Sequence, residues 1–134
     1  QKTRGCLKEK ESTDKMERIL HKPITGRNTK CYVKKCNGFQ IAGRCDGVTE
    51  DAVLETKTRR RYWSNVPMYD IIQLRVYMEL CSKSIGYLNE QFPDGSVRTT
   101  EVLYDHEEWR SICNAITSAL PKFWDYIREM KRVE

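Results

Sequence analysis

Residues 41–57 read IAGRCDGVTEDAVLETK, and this stretch decides the fold. Apolar and β-branched residues on either side of the acidic turn at residues 48–51 favour two neighbouring strands. Because side chains alternate along a strand, Glu55 and Lys57 project from one face, roughly 7 Å apart at their backbones. Asp46 closes the first strand. A short hairpin therefore brings the carboxylates of Asp46 and Glu55 and the ammonium of Lys57 around one spot.

This grouping of charges suits a hard divalent cation. Mg²⁺ prefers oxygen ligands and is held by one or two carboxylates with water and substrate phosphate, and the carbonyl of Thr56 offers a further oxygen. Such an ion lowers the pKa of a bound water and neutralises charge developing on a phosphodiester. Lys57 would orient the water or stabilise that charge. The alternative is a charged strand pair at a solvated sheet edge.

Composition bounds the possible classes of protein. The 134 residues and 15.8 kDa predict one domain, residues 1–134, with a single core. We find no run that would span a bilayer and no signal-peptide pattern, so we expect an intracellular protein of cytoplasm, nucleus or viral replication sites, neither secreted nor membrane-bound. A first residue other than Met suggests an excised domain. The net charge of +5 is modest, so local clusters of charge matter more than the total.

Six cysteines raise the question of disulfides or a metal cluster. They contain no CxxC pair, and an intracellular chain keeps its thiols reduced. Cys81 and Cys113 fall on apolar helix faces, where a buried thiol acts as a small hydrophobe. A cluster of Cys31, Cys36 and Cys45 stays open as an alternative.

The first third of the chain predicts a helix followed by a hairpin. Residues 3–20 have helical composition, and Glu9 shares a face with the apolar residues that follow it at a spacing of three or four. Glu9 would then point inward, although a surface carboxylate is the alternative. Residues 31–36 and 39–45 are predicted strands around the turn Asn37-Gly38.

The segment after Lys57 combines positive charge with aromatic rings. It contains Arg59, Arg60, Arg61, Tyr62 and Trp63. Arginines bind phosphate in a bidentate manner, and aromatic rings stack with unpaired bases. We therefore predict contacts with nucleic acid, the alternatives being a solvated loop or a nuclear-import patch. The loop that follows, residues 64–68, would act as a flap.

The next helix carries a polar pair. Asp70 is predicted to be the N-cap of a helix over residues 71–81, most of which is buried. Gln73 and Tyr77 lie four apart and are therefore adjacent on one face.

The remaining residues predict a hairpin and a last helix. Residues 85–92 and 97–104 are strands around a turn, and Asp105 with Glu108 has the form of a capping box. Pro121 must kink or divide the helix that follows. The aromatic residues of this helix are interpreted as core.

Four motifs in this order resemble the PD-(D/E)xK nuclease superfamily, in the branch of lambda exonuclease, YqaJ-type viral recombinases and RecB-like nucleases. GxxxE occurs at Gly5 to Glu9, Asp-Gly at Asp46, ExK at Glu55 to Lys57, and QxxxY at Gln73. The resemblance implies an α/β (α+β) protein with a restriction-endonuclease-like core. Its central mixed sheet is flanked by helices in αβββαβ order, with an added hairpin and C-terminal helix.

The resemblance also implies roles for individual residues. Asp46, Glu55 and the Thr56 carbonyl would bind Mg²⁺ or Mn²⁺, and Glu9 would reach the metal directly or through water. Lys57 would be catalytic. The QxxxY residues, Gln73 and Tyr77, would brace the site and touch DNA.

Two departures from the family pattern concern cysteine and length. Cys45 stands where a proline often precedes the metal-binding aspartate, and the chain is shorter than many relatives. Some RecB-like relatives hold an iron–sulfur cluster with one upstream and three downstream cysteines. Only Cys113 lies in the far C-terminal part, so we predict no cluster.

The function implied is metal-dependent hydrolysis of DNA, by an exonuclease of recombination, repair or end processing. Alternatives are a structure-specific or single-strand endonuclease, and a nuclease-like module that only binds nucleic acid. A non-catalytic descendant has no physical reason to keep Asp46, Glu55 and Lys57 together. The implied partners are linear duplex ends or single strands of DNA, a single-strand-annealing or recombination protein, and further copies of the chain in a homo-oligomer.

Overall fold

The computed structural model describes residues 4–27 and 30–133, with side chains for residues 9–27 and 30–130. Thr3, the predicted start of the first helix, lies outside the described residues. In chain order the elements are α1 (Arg4–Leu20), β1 (Tyr32–Cys36), β2 (Phe39–Gly43), β3 (Gly47–Val48), β4 (Ala52–Thr58), α2 (Met68–Leu80), β5 (Ile85–Gln91), β6 (Val97–Leu103) and α3 (His106–Val133).

The strands form a small hairpin sheet and a larger mixed sheet. β1 and β2 pair antiparallel, whereas the larger sheet has the order β3-β4-β5-β6. Within it only the central pair, β4 and β5, is parallel. This is the predicted α/β class, with a central mixed sheet flanked by helices.

The two helices α1 and α2 cover opposite faces of β4. Val53 of β4 packs in one cluster with Leu74 and Met78 of α2, and Leu54 packs in another with Met16 of α1. Because side chains alternate along a strand, Glu55 and Lys57 share the α2 face with Val53. The active-site candidates of β4 therefore project toward α2.

The partner strand of β4 differs from the prediction. We expected the strand over residues 39–45 to run into Asp46 and to pair with residues 52–57. Instead β2 belongs to the small sheet, and β4 pairs with the two residues of β3 in the register Gly47↔Leu54 and Val48↔Val53. The physical reason is that Val48 is occupied on its other side, where it exchanges two 2.8 Å backbone hydrogen bonds with Thr25. Asp46 thus precedes a strand and does not close one.

The start of α2 also differs from the prediction. Pro67, not Asp70, is the N-cap residue, and it makes no side-chain hydrogen bond to the helix. Its ring fixes φ at −60° and lacks an N–H that would need a partner, so the helix begins at Met68 without a polar cap. Asp70 lies inside the first turn and is 3% exposed.

The last helix is long and largely uncovered. Pro121 lies inside α3 without dividing it, and Asp105 caps the helix by accepting hydrogen bonds from the N–H groups of Glu107 and Glu108. The prediction that its aromatic residues are core is confirmed for Trp109, which is 9% exposed, and is wrong for Phe123 and Trp124, which are 53% and 54% exposed. An amphipathic pattern predicts that a helix has an apolar face and does not predict which element covers it. Among the described helices, none combines the length and apolarity needed to cross a bilayer.

Candidate active site

Two carboxylates, Asp46 and Glu55, are held together by main-chain hydrogen bonds. Glu55 Oε1 accepts from the N–H of Asp46 at 3.2 Å, and Asp46 Oδ2 accepts from the N–H of Thr56 at 2.7 Å. Thr56 lies beyond the two-residue register of β3, so its N–H is free to bond a side chain. Both carboxylates are buried, at 8% and 5% exposure. The shortness of β3 therefore creates the place where Asp46 turns toward β4.

Burial makes this pair costly to ionise. Burial raises the pKa of Asp46 to about 7. The hydrogen bond from the N–H of Thr56 lowers this pKa, and the nearby carboxyl of Glu9 raises it. Burial and the charge of Asp46 raise the pKa of Glu55 to about 8, whereas Lys57 lowers it. A cation placed between the two carboxylates would favour their charged forms. The pair is therefore electrostatically suited to bind one.

Glu9 and Thr56 extend the set of oxygen atoms on the α1 side. Glu9 projects from α1 close enough to affect the pKa of Asp46. The buried hydroxyl of Thr56 has no hydrogen-bond partner among the described residues. Within the same part of the chain, no three Asp, Glu, His or Cys side chains are grouped so that they could hold a metal ion. The predicted ligands thus amount to a carboxylate pair with Glu9 beside Asp46, which fits Mg²⁺ because that ion needs only one or two carboxylates.

Lys57 and Tyr77 lie on the α2 side of the pair. Lys57 follows Glu55 on the same face of β4, and its side chain is 29% exposed. Burial raises the pKa of Tyr77, and the nearby charges of Glu55 and Asp46 raise it further. Gln73 Nε2 lies 3.5 Å from Tyr77 Oη, so their hydrogen bond is weak. The structure brings Lys57 and Tyr77 to the carboxylates, and Gln73 joins through Tyr77.

The close fit of Tyr77 explains a glycine in β2. A Cβ on Gly43 would lie 2.8 Å from Cε1 of Tyr77, so the ring packs directly on the strand backbone. The small sheet therefore supports the ring of Tyr77 through the backbone of β2.

The arginines after β4 divide into two kinds. The sequence predicts phosphate contacts for Arg59, but its side chain is 11% exposed and its Nη2 donates to Asp70 Oδ2 at 2.5 Å. Arg59 is thus paired within the protein, and its contact with phosphate stays a prediction. Arg60 and Arg61 are exposed.

The aromatic residues of the same loop are presented to solvent. Tyr62 and Trp63 are 66% and 39% exposed. The guanidinium of Arg61 lies 4.3 Å above the Trp63 ring, and the Tyr62 ring packs 5.0 Å from that of Phe92. Both rings are therefore partly fixed, with surface still available for a base.

Three charged residues next to the site were not identified as site residues from the sequence. Asp70 was interpreted as a cap, and Glu90 and Arg98 had no assigned role. Glu90 lies directly opposite Lys57 in the parallel register of β4 and β5. The signal that could have found Asp70 is Pro67, because a proline three residues earlier is itself a strong helix start. Nothing in the sequence gives the register that places Glu90.

No family model and no curated protein sequence matches the chain. Among solved structures it is similar to an alkaline exonuclease, LHK-Exo, from Laribacter hongkongensis, with a TM-score of 0.72 and 15% identity over 96% of this chain and 71% of that one. The same enzyme in complex with dAMP matches with a TM-score of 0.72, 16% identity and the same coverage.

A second structure, SSO0001, matches with a TM-score of 0.62 and 20% identity over 78% of this chain. The chain spans about half, 53%, of the length of SSO0001. These likenesses confirm a restriction-endonuclease-like nuclease fold. Membership of the PD-(D/E)xK superfamily, and of a particular branch within it, stays a prediction.

Proposed function

We propose that this chain is a divalent-metal-dependent deoxyribonuclease, and more narrowly an exonuclease that acts on DNA ends in recombination, repair or end processing. The observation that carries the proposal is the buried pair Asp46 and Glu55, joined by a backbone hydrogen bond and followed on the same strand by Lys57. The likeness to LHK-Exo supports it, because the same fold serves an alkaline exonuclease there.

The carboxylate pair is the proposed site of Mg²⁺ or Mn²⁺. Asp46 and Glu55 would be the protein ligands, with the carbonyl of Thr56 as a further oxygen and Glu9 reaching the ion directly or through water. When bound, the cation supplies Lewis acidity toward water and charge neutralisation toward the phosphodiester. The raised pKa values of the two carboxylates support this assignment, since they mark a pair that gains from a positive charge.

Lys57 supplies the proposed catalytic positive charge. Its ammonium donates hydrogen bonds to the attacking water or to a nonbridging oxygen of the phosphodiester, where negative charge grows in the transition state. Tyr77 of α2, whose pKa is raised by burial and by the charge of Glu55, would brace the pair. Gln73, which contacts Tyr77, would touch the DNA backbone in this proposal.

The loop after β4 is the proposed substrate contact. Arg60 and Arg61 would bind phosphates, and the exposed rings of Tyr62 and Trp63 would stack with bases freed from pairing. LHK-Exo has been crystallised with dAMP, which supports a deoxynucleotide chain as the substrate class.

The test is incubation with end-labelled linear DNA and with closed circular DNA in the presence of Mg²⁺ or Mn²⁺. Loss of linear DNA alone is the expected result and indicates an exonuclease. Nicking of circles would indicate an endonuclease and overturn the narrower proposal. Asp46→Asn is the matched control, because activity that survives it belongs to a contaminant or to another site. Binding without cleavage by the parent in either metal would overturn the proposal.

A further inference from the structure

A network of four charged side chains lies beside the proposed site. Arg59 donates from Nη2 to Asp70 at 2.5 Å and from Nε to Glu90 at 3.0 Å, and Arg98 Nε donates to Glu90 at 2.8 Å. The side chains of Asp70 and Glu90 are 3% and 0% exposed. Carboxylates this deeply buried stay charged only when they are paired and hydrogen bonded. The two arginines meet that requirement.

One member of the network also faces Lys57. Asp70 Oδ1 lies 3.9 Å from Lys57 Nζ, while its Oδ2 accepts the hydrogen bond from Arg59. Lys57 lies in β4 and Arg59 follows the last residue of that strand, two positions further along the chain, while α2 carries Asp70 in its first turn. The two oxygens of one carboxylate thus contact two cations that are close together in sequence.

This contact limits where the ammonium can be. A lysine side chain is a flexible stem with a single charged end, so the surrounding anions decide its position. Asp46 and Glu55 attract Lys57 from one side, and Asp70 attracts it from α2. The Lys57 side chain is 29% exposed, so without Asp70 its ammonium would be free to turn toward the carboxylate pair or into solvent.

The other end of the network reaches the substrate loop. Arg98 Nη1 donates to the carbonyls of Trp63 and Ser64 at 2.8 and 2.9 Å. Its Nε and Nη2 bind the two oxygens of Glu90, so its guanidinium is fixed in a bidentate pair. Arg98 therefore anchors the loop backbone through its contacts with Glu90 and the loop carbonyls.

We propose that Asp70 is a positioning residue, whose carboxylate holds the Lys57 ammonium where the phosphodiester reacts. Arg98 is the positioning residue of the loop that binds DNA. This inference rests on the proposed function, because Lys57 can be positioned only for a reaction that the chain catalyses. The inference separates two effects. Asp70 acts on the rate at which bound DNA is cleaved, and Arg98 acts on the affinity for DNA.

The test is a double-mutant cycle of Asp70→Asn with Lys57→Ala, read by single-turnover cleavage at saturating DNA. Asparagine keeps the shape of the side chain and removes its charge. Displacement of a reacting group by about 1 Å costs on the order of 100-fold in rate, so Asp70→Asn should lower the rate by roughly 10- to 100-fold and leave the KM within about threefold. In the Lys57→Ala background the same substitution should have almost no effect, because the group it positions is gone.

A purely structural role predicts a different outcome. Loss of the pair with Arg59 lowers stability in both backgrounds, so an equal fall in rate with and without Lys57 would overturn the inference. Arg98→Gln is the matched control in the same network. Arg98→Gln should raise the KM for DNA in both backgrounds, while the cleavage rate at saturating DNA changes little. If Asp70→Asn has the same effects as Arg98→Gln, the inference is also overturned.

Folding of the variants is measured by thermal unfolding before kinetics. If Asp70→Asn does not fold, Asp70→Glu takes its place in the cycle, because it keeps the charge and moves the carboxylate by one methylene. The same dependence on Lys57 is expected, and its absence overturns the inference. If the parent cleaves no DNA, both the proposed function and this inference are overturned. If the parent cleaves DNA but the effects of the Asp70 and Lys57 substitutions on the rate are additive, the inference alone is overturned.

Discussion

Glu55 Oε1 accepts a hydrogen bond from the backbone N–H of Asp46 at 3.2 Å, across the turn that connects β3 to β4. The second carboxylate of the site is therefore fixed by the main chain of the first. Asp46 in turn accepts from the N–H of Thr56, the residue after Glu55. Each acidic side chain is bound to the backbone next to the other, so the two cannot move independently. Substitutions that keep their shape should therefore separate the loss of charge from the loss of structure.

Asp46→Asn and Glu55→Gln should each abolish cleavage while the protein stays folded. Each substitution keeps the size of the side chain and weakens binding of the cation. Mg²⁺ at about 100 times its Kd should stabilise the parent by about 2.7 kcal/mol, which raises Tm by several degrees, and should not stabilise the variants. Asp125→Asn and Glu107→Gln are matched controls at exposed positions and should behave as the parent does. Full metal-dependent activity in either site variant would move the site elsewhere.

The stability of the metal-free protein should fall as the pH rises. The pKa values of Asp46 and Glu55 are raised in the folded state to about 7 and about 8, above the usual values of about 4. The folded state therefore binds protons more tightly than the unfolded state, so the free energy of unfolding should decrease from about pH 4 to about pH 8. Chemical denaturation in EDTA across this range measures the effect.

The controls for the pH effect are the same two variants and the metal. Asp46→Asn should weaken the pH dependence, because one titrating group is gone, and saturating Mg²⁺ should restore stability at pH 8. A parent that gains stability between pH 5 and pH 8 in EDTA would contradict the assignment of a buried, uncompensated pair.

The sequence predicts the centre of the site better than its surroundings. Asp46, Glu55 and Lys57 lie within twelve residues of chain, and local strand geometry is enough to bring them together. The predicted partner of β4 was wrong, since β3 takes the place expected for β2, and the pairing of Val48 in β3 with Thr25 depends on a segment far earlier in the chain. Local patterns carry no information on such a contact.

The network around Asp70 could not be predicted for a related reason. A polar residue near a helix start is typical of an N-cap, and the pattern does not show that Arg59 draws Asp70 into the protein instead. Its partner Glu90 comes from the parallel register of β4 with β5, which α2 separates in sequence. Arg59, Arg60 and Arg61 are consecutive arginines, so the sequence assigned all three to DNA. They differ in exposure, which the sequence does not show.

Gly47→Ala should disturb the site without touching a charged group. A Cβ at this position would collide with Cγ2 of Ile24, which packs against the backbone between Asp46 and Val48. Overpacking of this kind costs about 1–3 kcal/mol, and the backbone shift should also lower the cleavage rate by moving Asp46. Thermal unfolding and single-turnover cleavage measure the two effects.

Removal of the colliding methyl group provides the control for Gly47→Ala. Ile24→Ala is itself destabilising because Ile24 is buried, but in that background the added cost of Gly47→Ala should be smaller. Equal costs in both backgrounds would show that Ile24 does not explain the need for glycine.

Lys57→Ala and the double variant Arg60→Ala/Arg61→Ala should separate chemistry from binding. Loss of Lys57 removes a donor to the transition state, so turnover should fall by roughly two to four orders of magnitude while Mg²⁺ still raises Tm. The two exposed arginines contact phosphates in our proposal, so their loss should weaken affinity and flatten its dependence on log salt by about 1.8 for duplex DNA. Arg59 is left intact because it is buried in ion pairs with Asp70 and Glu90.

Single-turnover cleavage at saturating DNA distinguishes these two variants. The arginine variant should retain its rate there, because affinity no longer limits the reaction, whereas Lys57→Ala should not recover at any DNA concentration. Lys35→Ala, an exposed lysine on the small sheet, controls for the loss of one positive charge and should keep both rate and affinity. If the arginine variant loses the saturating rate and Lys57→Ala keeps it, the role of Lys57 is wrong. The loop that contains Arg60 and Arg61 then becomes the better candidate for the catalytic element, since it would carry the group that acts on bound DNA.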